Sequence, residues 1–297
     1  MNRFEYLRPA SVEDAVAAAA TPGAAYLSGG TNLLDLMKVG VATPSTLVDV
    51  TRLPGLDVIE ALPGGGLRIG AMARNSDVAR HPDVLARAPM VAEALLSGAS
   101  AQLRNAARVG GNILQHPRAL LSGGIAGEPR EHAVLGWTEA CRSVHPSDFC
   151  VPLVALGASV EIAGIGGRRE VALRDFFSLP DGAEEAFPAL GPGELLTALL
   201  LPAGIEAFAA HARYVKLRER TSFAFALVSA AAALEIEGGT IARARLALGG
   251  VAHRPWRTDA AEALLTGNAP SAAIFAEAAA LALADARPSG DNAFKIE

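Results

Sequence analysis

The sequence predicts an α+β chain: two α/β units, then a unit of antiparallel strands and alanine-rich helices. Three observations predict it. Over the first half, short apolar runs alternate with helical periods in a β-α-β rhythm. Two stretches rich in proline and glycine, Leu53 to Gly66 and residues 180–192, divide the chain into segments 1–56, 57–178 and 193–297. In the last segment, strand-like runs follow one another with no helix between them until Asp259. A chain of 297 residues, 51% of them hydrophobic, is long enough to bury a sizeable core in two or three such units.

In the first unit, Ser11 caps a helix that runs through Val12, Val16 and Ala19, with Glu13 and Asp14 in its acidic first turn. A strand at Ala24–Leu27 runs into Ser28-Gly29-Gly30-Thr31-Asn32. A helical run follows, with Leu33, Leu34, Leu36 and Met37 as its apolar residues and Lys38 and Gly40 as its stop; a strand at Thr46–Val50 closes the unit. Strand, glycine turn and helix start together make an anion site, because unpaired N–H groups converge there and glycines let a phosphate approach the backbone. The same residues also read as a plain capped helix after a tight turn.

The second unit opens with a strand at Leu67–Ile69 and a helix near Asn75–Ala79. Val91, Ala94, Leu95, Ala99 and Leu103 fall at helical spacing, which predicts one helix from Val91 to Leu103. Residues 104–115, RNAARVGGNILQ, then carry a second glycine turn, which reads either as an anion-binding turn or as a helix stop. Two such turns fit a diphosphate gripped from two sides; neither fits G-x-G-x-x-G or the P-loop. His145-Pro146-Ser147-Asp148 precedes a helical run, Phe149–Leu156, for which Ser147 or Asp148 serves as cap. Strands at Ser159–Ile162 and Glu170–Leu173 end the unit. The third has strands at Leu195–Leu200, His211–Leu217, Ala224–Glu237 and Ile241–Leu248, then helices after Asp259 and Ser271.

A net charge of −5 argues against nucleic acid or an anionic membrane as partner, and no apolar run is long enough to span a bilayer. The start, Met-Asn-Arg-Phe-Glu-Tyr, lacks a signal-peptide core. Cys141 and Cys150 are too few for an iron–sulfur cluster or a structural zinc and read as buried thiols, a disulfide needing an oxidising compartment. No residue stands out as a general base, a nucleophile or a metal ligand. Arginine largely replaces lysine, which occurs only at Lys38, Lys216 and Lys295.

SGGTNLLDLMK, RNAARVGGNILQ, HPSD at 145–148 and YVKLRERTSFAFALVSAAAAL at 214–234 agree in order and spacing with one family. Together they resemble the FAD-binding subunit of the molybdenum hydroxylases, the xanthine, aldehyde and carbon monoxide dehydrogenase group, and above all its bacterial periplasmic aldehyde oxidoreductase branch. The resemblance runs from Phe4-Glu5-Tyr6 to Phe294-Lys295-Ile296. It implies two α/β subdomains of the PCMH type sharing an FAD cleft, followed by the antiparallel unit. The diphosphate would be held by Leu27, Ser28, Gly29, Gly30, Thr31, Asn32, Leu33 and Leu34 on one side and by Gly110, Gly111 and Asn112 on the other. Asp148 would accept hydrogen bonds from the adenosine half. Lys216 would approach the flavin ring, Leu196 would wall it, and Gln102 and Leu103 would face it. Arg108 departs from the family, which has Ser or Thr there; it either pairs with phosphate or points to solvent.

The resemblance also implies an electron-transfer role beside a molybdopterin-binding large subunit and a [2Fe–2S] small subunit. The relatives' cysteine-rich insertion is reduced here to a segment with Cys141 alone, so no cluster is expected in this chain. Its glycine-rich part, Ser122–Gly127, is expected to be a mobile loop. The compartment expected is cytoplasmic, or periplasmic by export with a partner. Two other functions stay open: a flavin-free scaffold of the same fold, and a stand-alone FAD oxidoreductase.

Overall fold

A computed structural model describes residues 1–115, 129–179 and 190–297; the expected loop at Ser122–Gly127 and most of the second linker lie outside them. The first unit comprises β1 (Glu5–Leu7), α1 (Val12–Ala19), β2 (Ala24–Leu27), α2 (Leu33–Lys38) and β3 (Thr46–Asp49). Its three strands form a parallel sheet in the order β1-β3-β2. Ser11 caps α1 by accepting from the Asp14 N–H at 3.0 Å, and Ala15 and Val16 turn inward.

Asp49, at the end of β3, ties this sheet together. It accepts from Tyr6 Oη and Arg8 Nε (3.2 Å) beside β1, and from Thr51 N (2.9 Å) and Oγ1 (2.6 Å). Burial alone would raise this carboxyl, but the bonds from Thr51, Tyr6 and Arg8 outweigh it and hold the group below the usual range.

The second unit has β4 (Ile59–Ala61), β5 (Leu67–Gly70), α3 (Asn75–Val78), α4 (Pro82–Arg87), α5 (Pro89–Ser97), α6 (Ala101–Ala106), α7 (Val109–Ile113), α8 (Cys150–Ala155), β6 (Ser159–Gly164), β7 (Gly167–Ala172), α9 (Leu173–Phe176) and β8 (Leu195–Leu201). Its sheet runs β4-β5-β8-β6-β7, all antiparallel. Two expectations are corrected here. Strand β4 lies inside what reads as linker. Strand β8, expected in the third unit, sits in the middle of the second unit's sheet. The reason is burial on both faces: Leu195-Leu196-Thr197-Ala198-Leu199 is a continuous apolar run, the pattern of an interior strand. Its one polar residue, Thr197, donates to Glu161 Oε1 at 2.6 Å.

The single helix expected from Val91 to Leu103 is two. Gly98 is extended and Ala99 takes φ +51°, while Ser100 restarts the helix by accepting from the Leu103 N–H at 3.2 Å. The break is held by cations: Arg104 Nη1 donates to the Gly98 carbonyl at 2.7 Å, and Arg218 Nη1 to that of Ser97 at 2.8 Å. Positive groups at the last carbonyls of a helix are favourable there.

The third unit has β9 (Ala212–Leu217), β10 (Val228–Glu237), β11 (Thr240–Gly249), β12 (Trp256–Arg257), α10 (Asp259–Leu265) and α11 (Ala272–Ala282), its sheet ordered β12-β11-β10-β9 and antiparallel. Thr258 and Ser271 cap the two helices. Strand β10 begins at Val228, not Ala224, because Val228 pairs with Leu217 and residues 218–227 form the connection. Most of the buried apolar residues form one core through the first two units, α8 and the inner face of the third unit's sheet. Both cysteines are buried free thiols. Among the described residues no helix is long and apolar enough to cross a membrane.

Asp49→Asn should lower the unfolding temperature at neutral pH. A carboxyl whose folded pKa is depressed stabilises above its unfolded value, and the contribution is lost as pH falls through the folded one. The gap between wild type and variant should therefore narrow below about pH 4. A gap that stays constant in thermal scans from pH 7 to pH 3 would contradict this role.

Candidate cofactor site

The two glycine turns meet. A Cβ on Gly29 would lie 2.2 Å from the Ala106 carbonyl oxygen at the end of α6, so only glycine lets β2's exit approach the second turn. A Cβ on Gly111 would lie 3.9 Å from Ser28 Oγ and otherwise face open space. Gly30, at φ +73°, makes the turn into α2.

What these turns offer is unspent donors. The N–H groups of Gly29, Gly30, Thr31 and Asn32 donate to no acceptor among the described residues. In the second turn, Val109 and Gly110 donate to the carbonyls of Ala73 and Ala71, and Asn112 to that of Arg108; Gly111 is left without such a partner. Helices α2 and α7 are only six and five residues long, so the attraction for an anion comes from these local N–H groups, more than from a long helix dipole.

Beside the turns opens a cavity of about 820 Å³, within the range of cofactor sites. Thr31, Asn32, Leu36, Leu95, Ala99, Leu103, Asn112, Ser147, Asp148 and the loop 219, 220 and 223–227 border it. Of the residues expected at the site, Thr31, Asn32, Asn112 and Asp148 are on its wall. Ser28, Gly29, Gly30 and Gly111 form the adjoining turns. Asn112 Oδ1 accepts from Ser147 Oγ and Gln115 Nε2, each at 2.7 Å, so any donor role falls to its amide NH2.

Several expected residues are elsewhere. Leu196 is 2% exposed in the core, because β8 is an interior strand. Gln102 points to solvent; one helical step of about 100° separates it from Leu103, which does reach the cavity. Leu27 and Leu34 pack behind the turn, Leu34 Cδ1 lying 2.9 Å from where a Gly30 Cβ would be, and Leu33 is half-buried away from the cavity wall. Gly110 is packed on Ala71 with its N–H spent. Arg108 is anchored from within: Nη1 donates to the Met72 carbonyl at 2.8 Å, and burial, then Arg74, lowers its pKa.

Lys216 and Asp148 form one buried pair, Nζ to Oδ2 at 2.7 Å, their side chains 3% and 9% exposed. Lys216 also donates to the carbonyls of Ala224 (2.7 Å) and Ser97 (3.4 Å), which engages all three ammonium protons. The other carboxylate oxygen, Oδ1, accepts from Tyr214 Oη at 2.6 Å. Burial, then Asp148, pushes the Tyr214 hydroxyl up, so it is a fixed donor. Two residues expected at opposite ends of a dinucleotide thus touch each other. Lysine here fastens the aspartate and has no donor left for a ring. Capping of α8 falls to Ser147, whose Oγ accepts from the Cys150 N–H at 3.3 Å.

Tyr214, Arg220, Phe223 and Phe225 fall within the motif at 214–234, but no site role is expected for them from the sequence. Tyr214 is two positions from Lys216 and therefore on the same strand face, a signal the sequence did contain. His145 is structural: burial, then His253, lowers it to about 3, and Nδ1 accepts from the Ser147 N–H at 3.3 Å. Among the described residues no group of three or more His, Cys, Asp or Glu side chains is placed to hold a metal.

Lys216→Met leaves a buried carboxylate uncompensated and should destabilise the protein by roughly 3–5 kcal/mol. Lys216→Met with Asp148→Leu should be less destabilised than Lys216→Met alone. Denaturant unfolding of the variants checks this, and simple additivity would show that the pair is not coupled.

Residues 2–204 match the family model for the FAD binding domain in molybdopterin dehydrogenase, and residues 213–296 that for the CO dehydrogenase flavoprotein C-terminal domain. The chain is 43% identical to the aldehyde oxidoreductase FAD-binding subunit PaoB of Escherichia coli, over 100% of this chain and 94% of that protein. It is 31% identical to the carbon monoxide dehydrogenase medium chain of Afipia carboxidovorans, over 97% and 88%. Among solved structures, quinoline 2-oxidoreductase from Pseudomonas putida 86 superposes with TM-score 0.80 at 28% identity, covering 99% of this chain and 92% of that one. Reconstituted CO dehydrogenase from Oligotropha carboxidovorans gives 0.80 at 30% identity, covering 98% and 90%. The chain belongs to the family of FAD-binding medium subunits of the molybdenum hydroxylases.

Proposed function

We propose that this chain carries FAD in a molybdenum-dependent hydroxylase complex, beside a molybdopterin-binding large subunit and a [2Fe–2S] small subunit, and serves there in electron transfer to an external acceptor. The observation that supports it most is the set of unspent backbone donors at the two touching glycine turns, on the rim of a cavity of dinucleotide size. Phosphate oxygens accept strongly from such N–H groups. When bound, FAD supplies the redox chemistry. The chain supplies the rest: Gly29 to Asn32 and Gly111 for the diphosphate, Asn112 as an amide donor, and an apolar wall at Leu95 and Leu103 that excludes water. The first two units, with β8 added to the second, hold the cofactor; the third closes the cleft with its 218–227 loop. A flavin-free scaffold has no use for five unspent donors in one place. Arg108, the departure from the family, is anchored within the protein by Nη1 on the Met72 carbonyl.

Gly111 tests this best, since Gly30 is needed for the turn itself. Gly111 lies within α7, where alanine is preferred to glycine, and its Cβ would meet nothing in the free protein closer than 3.9 Å. Gly111→Ala should therefore leave the apo protein as stable as wild type or more so, yet cut FAD affinity at least tenfold. Unchanged flavin content at saturating and at limiting FAD would sink the diphosphate assignment.

No iron centre is expected in this chain, whose two cysteines are both buried free thiols. Iron and labile-sulfide analysis of the isolated chain should give far less than one atom per chain; stoichiometric iron resisting a chelator would overturn this part of the reading.

A further inference from the structure

Phe223 carries two features that a free surface loop does not need. Its backbone stands at φ +50°, where a bulky L-residue is strained, and the residue is 60% exposed. Both are held in place. Arg220 Nε donates to the Phe223 carbonyl at 3.0 Å and Nη2 donates to the same oxygen, while the Arg220 guanidinium lies over the ring, 5.6 Å from its centroid. The next carbonyl, that of Ala224, is bound by Lys216 at 2.7 Å. The buried pair and Arg220 thus fix the residue from two directions. A glycine would make this turn without strain. An outlier of this kind beside a ligand cavity is where strain is commonly kept for a purpose. Phe223 borders the 820 Å³ cavity, as do Phe225, Leu95 and Leu103.

We propose that Phe223 is a stacking platform: Arg220 covers one face of its ring, and the other face takes a planar ring of the cofactor, isoalloxazine or adenine. This rests on the FAD reading above. Both rings are flat and polarisable and stack on phenyl groups in offset geometry, and a cation on the far face adds to the attraction between the layers. The preset backbone means that the ring is already in position before the cofactor arrives, so little order has to be created on binding.

The test uses the full chain stripped of cofactor and titrated with FAD, followed by flavin emission and calorimetry. Phe223→Ala should weaken FAD roughly ten- to hundredfold, the range of a lost base–aromatic stack, and Phe223→Trp should bind within a few-fold of wild type. Phe223→Gly should lose as much affinity as the alanine variant, while the apo form unfolds at a temperature no lower than wild type. Titration with FMN and with ADP separates the two rings: a loss shared by FMN assigns the isoalloxazine, a loss shared by ADP the adenine. Wild-type affinity of both truncated variants for FAD would overturn the platform while leaving the FAD reading intact, as would a Phe223→Gly apo protein clearly less stable than wild type. A wild-type chain that binds no FAD would overturn both.

Discussion

The contact on which the site depends is the buried ion pair of Lys216 and Asp148. Two charges taken out of water are costly unless they are well partnered, and here each carboxylate oxygen and each ammonium proton has a partner: Tyr214 on the carboxylate, the carbonyls of Ser97 and Ala224 on the ammonium, and the two charges on each other. The pair and its partners come from four places in the chain: the end of α5, the turn before α8, strand β9 and the loop after it. One pair therefore sets the distance between the second unit and the third. Cavity walls on both sides are placed by it, although neither charge is committed to a ligand.

A second constraint works by exclusion. Where the two glycine turns pass each other, backbone is 2.2 Å from the place a Gly29 side chain would begin. Close approach of two such turns brings N–H groups together faster than carbonyls can be found for them. The polypeptide is left with a shortage of acceptors at one point on its surface, which an anion with several oxygens relieves.

Much of this was legible in the sequence because local chemistry set it. Ser11, Thr258 and Ser271 cap helices as their residue types dictate, Gly30 makes the turn after β2, and Gly110-Gly111 fall in the short helix α7. The elements misread were those decided by distant partners. Nothing near Gly98 states that Arg104 and Arg218 will take its neighbourhood's carbonyls and break a helix whose spacing continues. Nothing in Leu195–Leu201 says between which strands it lies, only that both its faces are covered. In the site, Thr31, Asn32, Asn112 and Asp148 come to the cavity wall. Leu196, Lys216 and Gln102, assigned by resemblance, do not line it, because what a side chain faces depends on what packs across from it.

The position of β8 has a further consequence for how the molecule comes into being. Strands β5 and β6 never touch; each pairs with β8, which follows them by some thirty residues or more in the chain. Until residue 201 has left the ribosome, the second unit consists of two separate hairpins, β4–β5 and β6–β7, each with an unpaired inner edge. The second unit's sheet is thus closed by a strand synthesised after the rest of that unit. A nascent chain interrupted in the second linker lacks the strand that joins these two hairpins, and unpaired edges of this kind are what open a folding chain to aggregation.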